Sequence, residues 1–155
     1  MIELSLDTVK TFLQSKGFDV HYQEETNQLY MLVKVANFDF PLFIRVYDEG
    51  DLLQLIQFIP ISVQPGTAGD LARLLHTLNK EIDIPGFGMD ETSNVVFYRV
   101  MIPSFNKQIE EGLIEIFMST LPVIAESFSP IIMTAASGNA TYEEIMKKMQ
   151  DIENT

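Results

Sequence analysis

The chain has no cysteine among its 155 residues, and that absence removes disulfides, thiolate metal sites and cysteine nucleophiles together. Positive charge is scarce: 10 Lys and Arg stand against 22 Asp and Glu, a formal net charge of −12. A surface so acidic throughout is a poor partner for nucleic acid or an anionic membrane. No unbroken apolar run approaches the ~18 residues of a membrane span. The opening Met1-Ile2-Glu3-Leu4-Ser5-Leu6-Asp7 puts acids where a signal peptide carries bases, so the expected compartment is the cytoplasm. Catalytic signatures are also missing, with no nucleophile elbow, Walker motif or dinucleotide fingerprint.

What is present is apolar. Hydrophobic residues make up 46% of the chain and phenylalanine dominates its aromatics, enough to build one domain-sized core. Ser5 precedes Leu6, Val9, Phe12 and Leu13 at helical spacing, which predicts a first amphipathic helix ending at Gly17. The stretch Phe18 to Gln23 allows one short extended segment before the turn at Glu24-Asn27. Gln28–Val35, Leu42–Tyr47 and Leu52–Ile59 then read as a three-stranded antiparallel meander, with Pro41 at the start of its middle strand and an Asp48-Glu49-Gly50-Asp51 hairpin turn.

Thr67-Ala68-Gly69-Asp70 has capping-box spacing and opens a second helix with the stripe Leu71, Leu74, Leu75, Leu78 and Ile82. Phe87–Asp90 and Val95–Ile102 form a second hairpin. Asn106 is the expected cap of a third helix, which Pro122 and Pro130 are expected to kink or interrupt before Gly138. Thr141-Tyr142-Glu143-Glu144 is a further capping box and opens a tail helix. The reading is an α+β domain over residues 1–138 with a C-terminal tail helix over 139–155.

The strand pattern carries the functional signal. Leu42, Ile44 and Val46 point one way while Phe43, Arg45 and Tyr47 point the other, so both faces of that strand carry bulk. A sheet covered by helices on one side should show polar residues on the other. The candidate second-face residues are Tyr30, Leu32, Phe43 and Tyr47, joined by Phe97 and Met101. Either a partner covers this face, or the long third helix wraps back over it. Met146 and Met149 on the tail helix are candidates for an adaptable binding surface, because flexible thioethers repack easily. Gap filling or tail docking is the alternative use for them.

Other polar groups read as ordinary surface. His21 and His76 lack partners at zinc-ligand spacing, and Asp48, Glu49 and Asp51 lack the alternating ligands of a calcium loop. No cofactor and no metal site is expected, and the chain reads as a non-enzyme.

Three segments carry a family likeness: Phe40-Pro41-Leu42-Phe43-Ile44-Arg45-Val46-Tyr47 with the following acidic turn and Leu52-Leu53-Gln54-Leu55; Leu74 to Glu81 leading through Gly86-Phe87 into Val95 to Val100; and Ala125-Glu126-Ser127-Phe128-Ser129-Pro130. In these the chain resembles the YbjN-like family of bacterial sensory transduction regulators and the type III secretion chaperones that share its fold. The resemblance implies helices packed on a twisted antiparallel sheet, commonly in a homodimer, with a protein partner or secretion substrate held on an apolar surface. A regulator binding a folded signalling partner is the alternative within the same fold. An enzyme using Asp48, Asp51 and Asp90 with a metal is the alternative outside it.

Overall fold

A computed structural model describes residues 1–154. Its elements are β1 (Ile2–Glu3), α1 (Leu6–Ser15), β2 (His21–Gln23), β3 (Gln28–Val35), β4 (Phe38–Tyr47), β5 (Leu52–Phe58), α2 (Ala68–Glu81), β6 (Phe87–Asp90), β7 (Val95–Pro103), β8 (Gln108–Ile109), α3 (Glu111–Ser137) and α4 (Tyr142–Glu153). Six strands form one antiparallel sheet in the order β2-β3-β4-β5-β7-β6, and β1 pairs separately with β8. The α+β architecture expected from the sequence is the one observed.

The four described helices pack with one another, α1 on α3, α2 on α3 and α4 on α2. α1 is capped by Ser5, which shares a capping box with Thr8, and Lys16 ties it to α3 through Glu115 at 2.9 Å. That carboxylate, by hydrogen bonding and then by charge, holds the Lys16 ammonium above its usual pKa. α2 buries Leu71, Leu74, Leu75 and Leu78, and α3 buries Ile114, Met118, Leu121, Ala125 and Ile132. These meet Leu29, Leu42, Ile44, Leu53, Leu55 and Tyr98 from one face of the sheet, all fully enclosed.

Several local expectations need correcting. β4 begins at Phe38 and runs through Pro41, because the β4–β5 ladder starts only at Leu42 and Pro41 has a paired neighbour on one side, Leu32. Proline is tolerated there as on an edge strand. Thr67 holds the N-cap position of α2 but makes no side-chain cap hydrogen bond: its hydroxyl donates to the carbonyls of Gln64 and Ala136. Asp70, the supposed partner in that box, instead accepts from the Tyr142 amide at 3.3 Å and so caps the start of α4.

Asn106 is not a helix cap. Asn106 and Lys107 both have positive φ and form a tight turn closed by reciprocal hydrogen bonds between Phe105 and Gln108, the geometry of a two-residue hairpin. α3 starts later, and it continues through both prolines as a single 27-residue helix. Its buried face, packed along most of its length, outweighs the two lost backbone bonds. The capping box at Thr141 is present as expected.

Tyr98 shows how the core handles a polar atom. Its hydroxyl donates to the Ile84 carbonyl at 2.7 Å, and burial pushes its pKa above the ordinary 10.0. Above that ordinary value the unfolded chain ionises first and binds fewer protons than the native chain, so stability is lost as pH rises through the raised pKa. Tyr98→Phe is expected to cost about 1 kcal/mol at neutral pH for the lost hydrogen bond. It should also flatten the fall in stability at alkaline pH. Urea unfolding followed between neutral and strongly alkaline pH checks both parts.

Candidate functional site

The candidate site is the sheet face that no described helix covers. Alternation sends Leu42, Ile44, Leu53, Leu55, Val96, Tyr98 and Val100 into the core, and their neighbours along each strand to the other side. Helix α3 lies on the core face: Gln57 there donates to the Leu121 carbonyl at 3.1 Å, and the Phe128 ring meets Phe87 at 5.8 Å. The alternative in which α3 wraps back over the second face is therefore overturned.

On the open face, cross-strand register assembles side chains that are distant in sequence. One row runs Tyr30, Phe43, Ile56 and Arg99 across β3, β4, β5 and β7. The next runs Arg45, Gln54 and Met101, and beyond it stand Tyr47, Leu52 and Pro103. Phe58 pairs with Phe97 at the other end. Four rings consequently form a chain of contacts across the sheet: Tyr30 to Phe43 at 5.2 Å, Phe43 to Phe58 at 5.7 Å and Phe58 to Phe97 at 6.3 Å. These are tilted or edge-on packings of the favoured kind. The rings are half-buried, while Leu32 and Met101 are 37% and 39% exposed.

The structure thus brings six of the eight candidates, Tyr30, Leu32, Phe43, Tyr47, Phe97 and Met101, onto one surface. It does not bring the tail there. Met146 and Met149 are half-buried on α4, in the opposite layer. α4 is held against α2 by the Arg73–Glu143 ion pair at 2.8 Å, the Arg73 guanidinium 4.1 Å from the Tyr142 ring, and the Thr77–Tyr142 hydrogen bond. Sequence reasoning missed Phe58 and Ile56; counting outward from the Asp48–Asp51 turn would have aligned Ile56 with Phe43 and put Phe58 one step further along the same face.

The face has its own electrostatics. On its four long strands it carries Lys34, Arg45 and Arg99 and one acid, Asp39, directly opposite Lys34 in the register. Arg45 donates to the Gln28 side chain at 3.2 Å and the Thr26 carbonyl at 3.3 Å and stands 5.8 Å from the Tyr47 ring. Its Nε–H is shielded from solvent without an acceptor among the described residues. Arg99 lies 6.0 Å from the Phe97 ring.

Other polar groups are engaged locally. Asp51 pairs with Lys107 at 2.7 Å, and the same ammonium reaches the Asp48 carbonyl. Asp90 accepts from the Thr92 and Ser93 amides of its own turn, and His21 meets Asp19. Among the described residues no three His, Cys, Asp or Glu side chains converge as a metal site.

Residues 5–130 match the family model named YbjN and described as "Putative bacterial sensory transduction regulator". Two solved structures share the fold. One is the crystal structure of YbjN, "a putative transcription regulator from E. coli": it is 14% identical, with a TM-score of 0.60 over 87% of this chain and 92% of that one. The other belongs to the HopA1-SchA chaperone-effector complex and is 16% identical, with a TM-score of 0.56 over 84% of this chain and 99% of that one. No curated protein matches the chain. At such identities the likeness establishes the fold, and it agrees with the family read from the sequence.

Proposed function

The chain belongs to the YbjN family, and from that premise we propose that it is a non-catalytic, cytoplasmic protein-binding module that holds a partner protein on its open sheet face. The observation that carries this reading is the connected run of four aromatic rings on a face that no described helix covers. Aromatic anchors are the side chains that most often dominate protein interfaces. The chaperone-effector neighbour supports a client that is a secretion substrate, and the regulator description supports a folded signalling partner.

Residues 1–138 form the binding domain in this reading, and 139–155 are an appended tail whose helix α4 packs on α2. The module works as a homodimer. Its seam is the outer side of α3, where Ile116 and Val123 are 58% and 60% exposed. α3 is the one described helix long and apolar enough to cross a membrane by length and composition. A helix face so poor in charge matches a second copy of itself.

Purification from the native cell with light scattering tests both parts. The expected result is a complex of two copies with a stoichiometric partner protein. Ile116→Glu with Val123→Glu should convert the free dimer to monomer. A wild-type chain that is strictly monomeric and carries no partner would contradict the proposal.

A further inference from the structure

We propose that the open face selects a protein segment in which carboxylates flank an apolar side chain, the carboxylates meeting Arg45 and Arg99. The inference rests on the reading of that face as the binding surface and goes on to name the chemistry of its partner.

Charge distribution carries it. The chain has 22 acids and 10 bases, yet the four long strands place three cations and a single acid on this face. Asp39 stands opposite Lys34 in the register, at the far end of β3 and β4 from Arg45, so no acid of these strands neighbours either arginine in the register. Neither forms an ion pair with a carboxylate among the described residues; Lys16, Arg73, Lys80 and Lys107 do, whereas Lys10, Lys34, Lys147 and Lys148 share that lack but none of them stands beside the aromatic run. Arg45 reaches only a neutral amide and a backbone carbonyl. Asp90, at the β6 corner, is occupied by its own turn. Two guanidiniums beside aromatic rings, without acids, are donors suited to carboxylates.

Spacing adds a constraint. Arg45 and Arg99 stand two strands apart and one two-residue step apart along the strands, a separation of about 12 Å by the usual sheet dimensions. An extended segment covers that distance in roughly four residues. Acids at positions i and i+4 would reach the two arginines, and position i+2, on the same side of the segment, would lie near Phe43 and Ile56.

The same charges disfavour other occupants. A second copy docked face to face would bring arginines toward arginines. A single-stranded nucleic acid needs open ring faces for its bases, and here the rings are turned at 40°, 77° and 71° against one another.

A random 12-residue peptide display library panned on the intact protein tests the inference. Enriched peptides should carry acids four residues apart around an apolar residue and bind more weakly at high salt. Arg99→Gln, at an exposed site, and Arg45→Gln should each weaken them about tenfold or more, with Arg45→Lys recovering part of the loss. Melting curves confirm that each variant is folded. Peptides lost on Phe43→Glu but indifferent to both arginines would overturn the acidic segment and leave the binding face standing. No enrichment, or peptides indifferent to Phe43→Glu, would overturn the face and the inference together. Binding of a single-stranded oligonucleotide in place of peptide, or loss of a dimer on Phe43→Glu, would assign the face to the other occupants.

Discussion

Gly86→Ala is expected to destabilise the fold by about 3 kcal/mol, a drop in Tm of roughly 6–12 °C for a domain of this size. A β-carbon at this position would lie 2.2 Å from the Arg99 carbonyl oxygen and 3.1 Å from its carbon. Neither side can easily yield. The Gly86 carbonyl accepts from the Arg99 amide at 2.9 Å, and the Asn79 side chain accepts from the Gly86 and Phe87 amides while donating to the Phe87 carbonyl. Relief requires β6 to move away from β7, which loosens the Phe87 ring from Tyr98 and Phe128. Thermal unfolding by circular dichroism measures the shift, and an unchanged Tm would show that β6 is held more loosely than this geometry implies.

Phe43→Glu is expected to weaken partner binding about a hundredfold or more while the chain stays folded. Phe43 lies at the centre of the ring run, touching both Tyr30 and Phe58, and central aromatic anchors cost about 2 kcal/mol or more when truncated. Glutamate adds a charge that the partner must desolvate and that repels acids approaching Arg45 and Arg99, which raises the loss to about 3 kcal/mol. The stability cost is smaller, because the side chain is only half-buried and sits outside the core. Met101→Glu, at an already exposed position, is a companion variant with still less effect on folding. Calorimetric titration of the purified partner separates lost binding from lost fold.

Much of the fold was legible because its signals are local. The bounds Gln28–Val35, the leucine stripe of α2 and the capping box at Thr141 each depend on residues adjacent in sequence, and all three stand in the structure. The failures come where tertiary contacts override a local pattern. β5 shows no clean alternation in sequence because glutamine occurs at both phases: Gln57 is inside, donating to a helix carbonyl, and Gln54 lies on the open face. That ambiguity hid Phe58 and Ile56.

Pro122 and Pro130 suggest a kinked or interrupted helix, and α3 is not interrupted, since sequence gives no measure of the packing that carries it through them. Asp70 was assigned to its own helix when its partner is 72 residues away. The same limit applies to the site. Six of its residues could be gathered from strand alternation alone, but the tail methionines were placed with them only by chemistry, and topology puts them in the other layer. The whole-chain charge of −12 concealed the cationic character of one face, which emerges only when register sets Arg45 and Arg99 on it together.

The most direct test of the open face as the binding surface is site-specific photo-crosslinking in the native cell. A photoreactive phenylalanine analogue at position 101, on the open face, is compared with one at position 126, an exposed site on α3. The account predicts a discrete adduct with a different protein from position 101, abolished by Phe43→Glu. Adducts to such a protein from position 126 alone, or adducts from 101 only to a second copy of the chain, would contradict it.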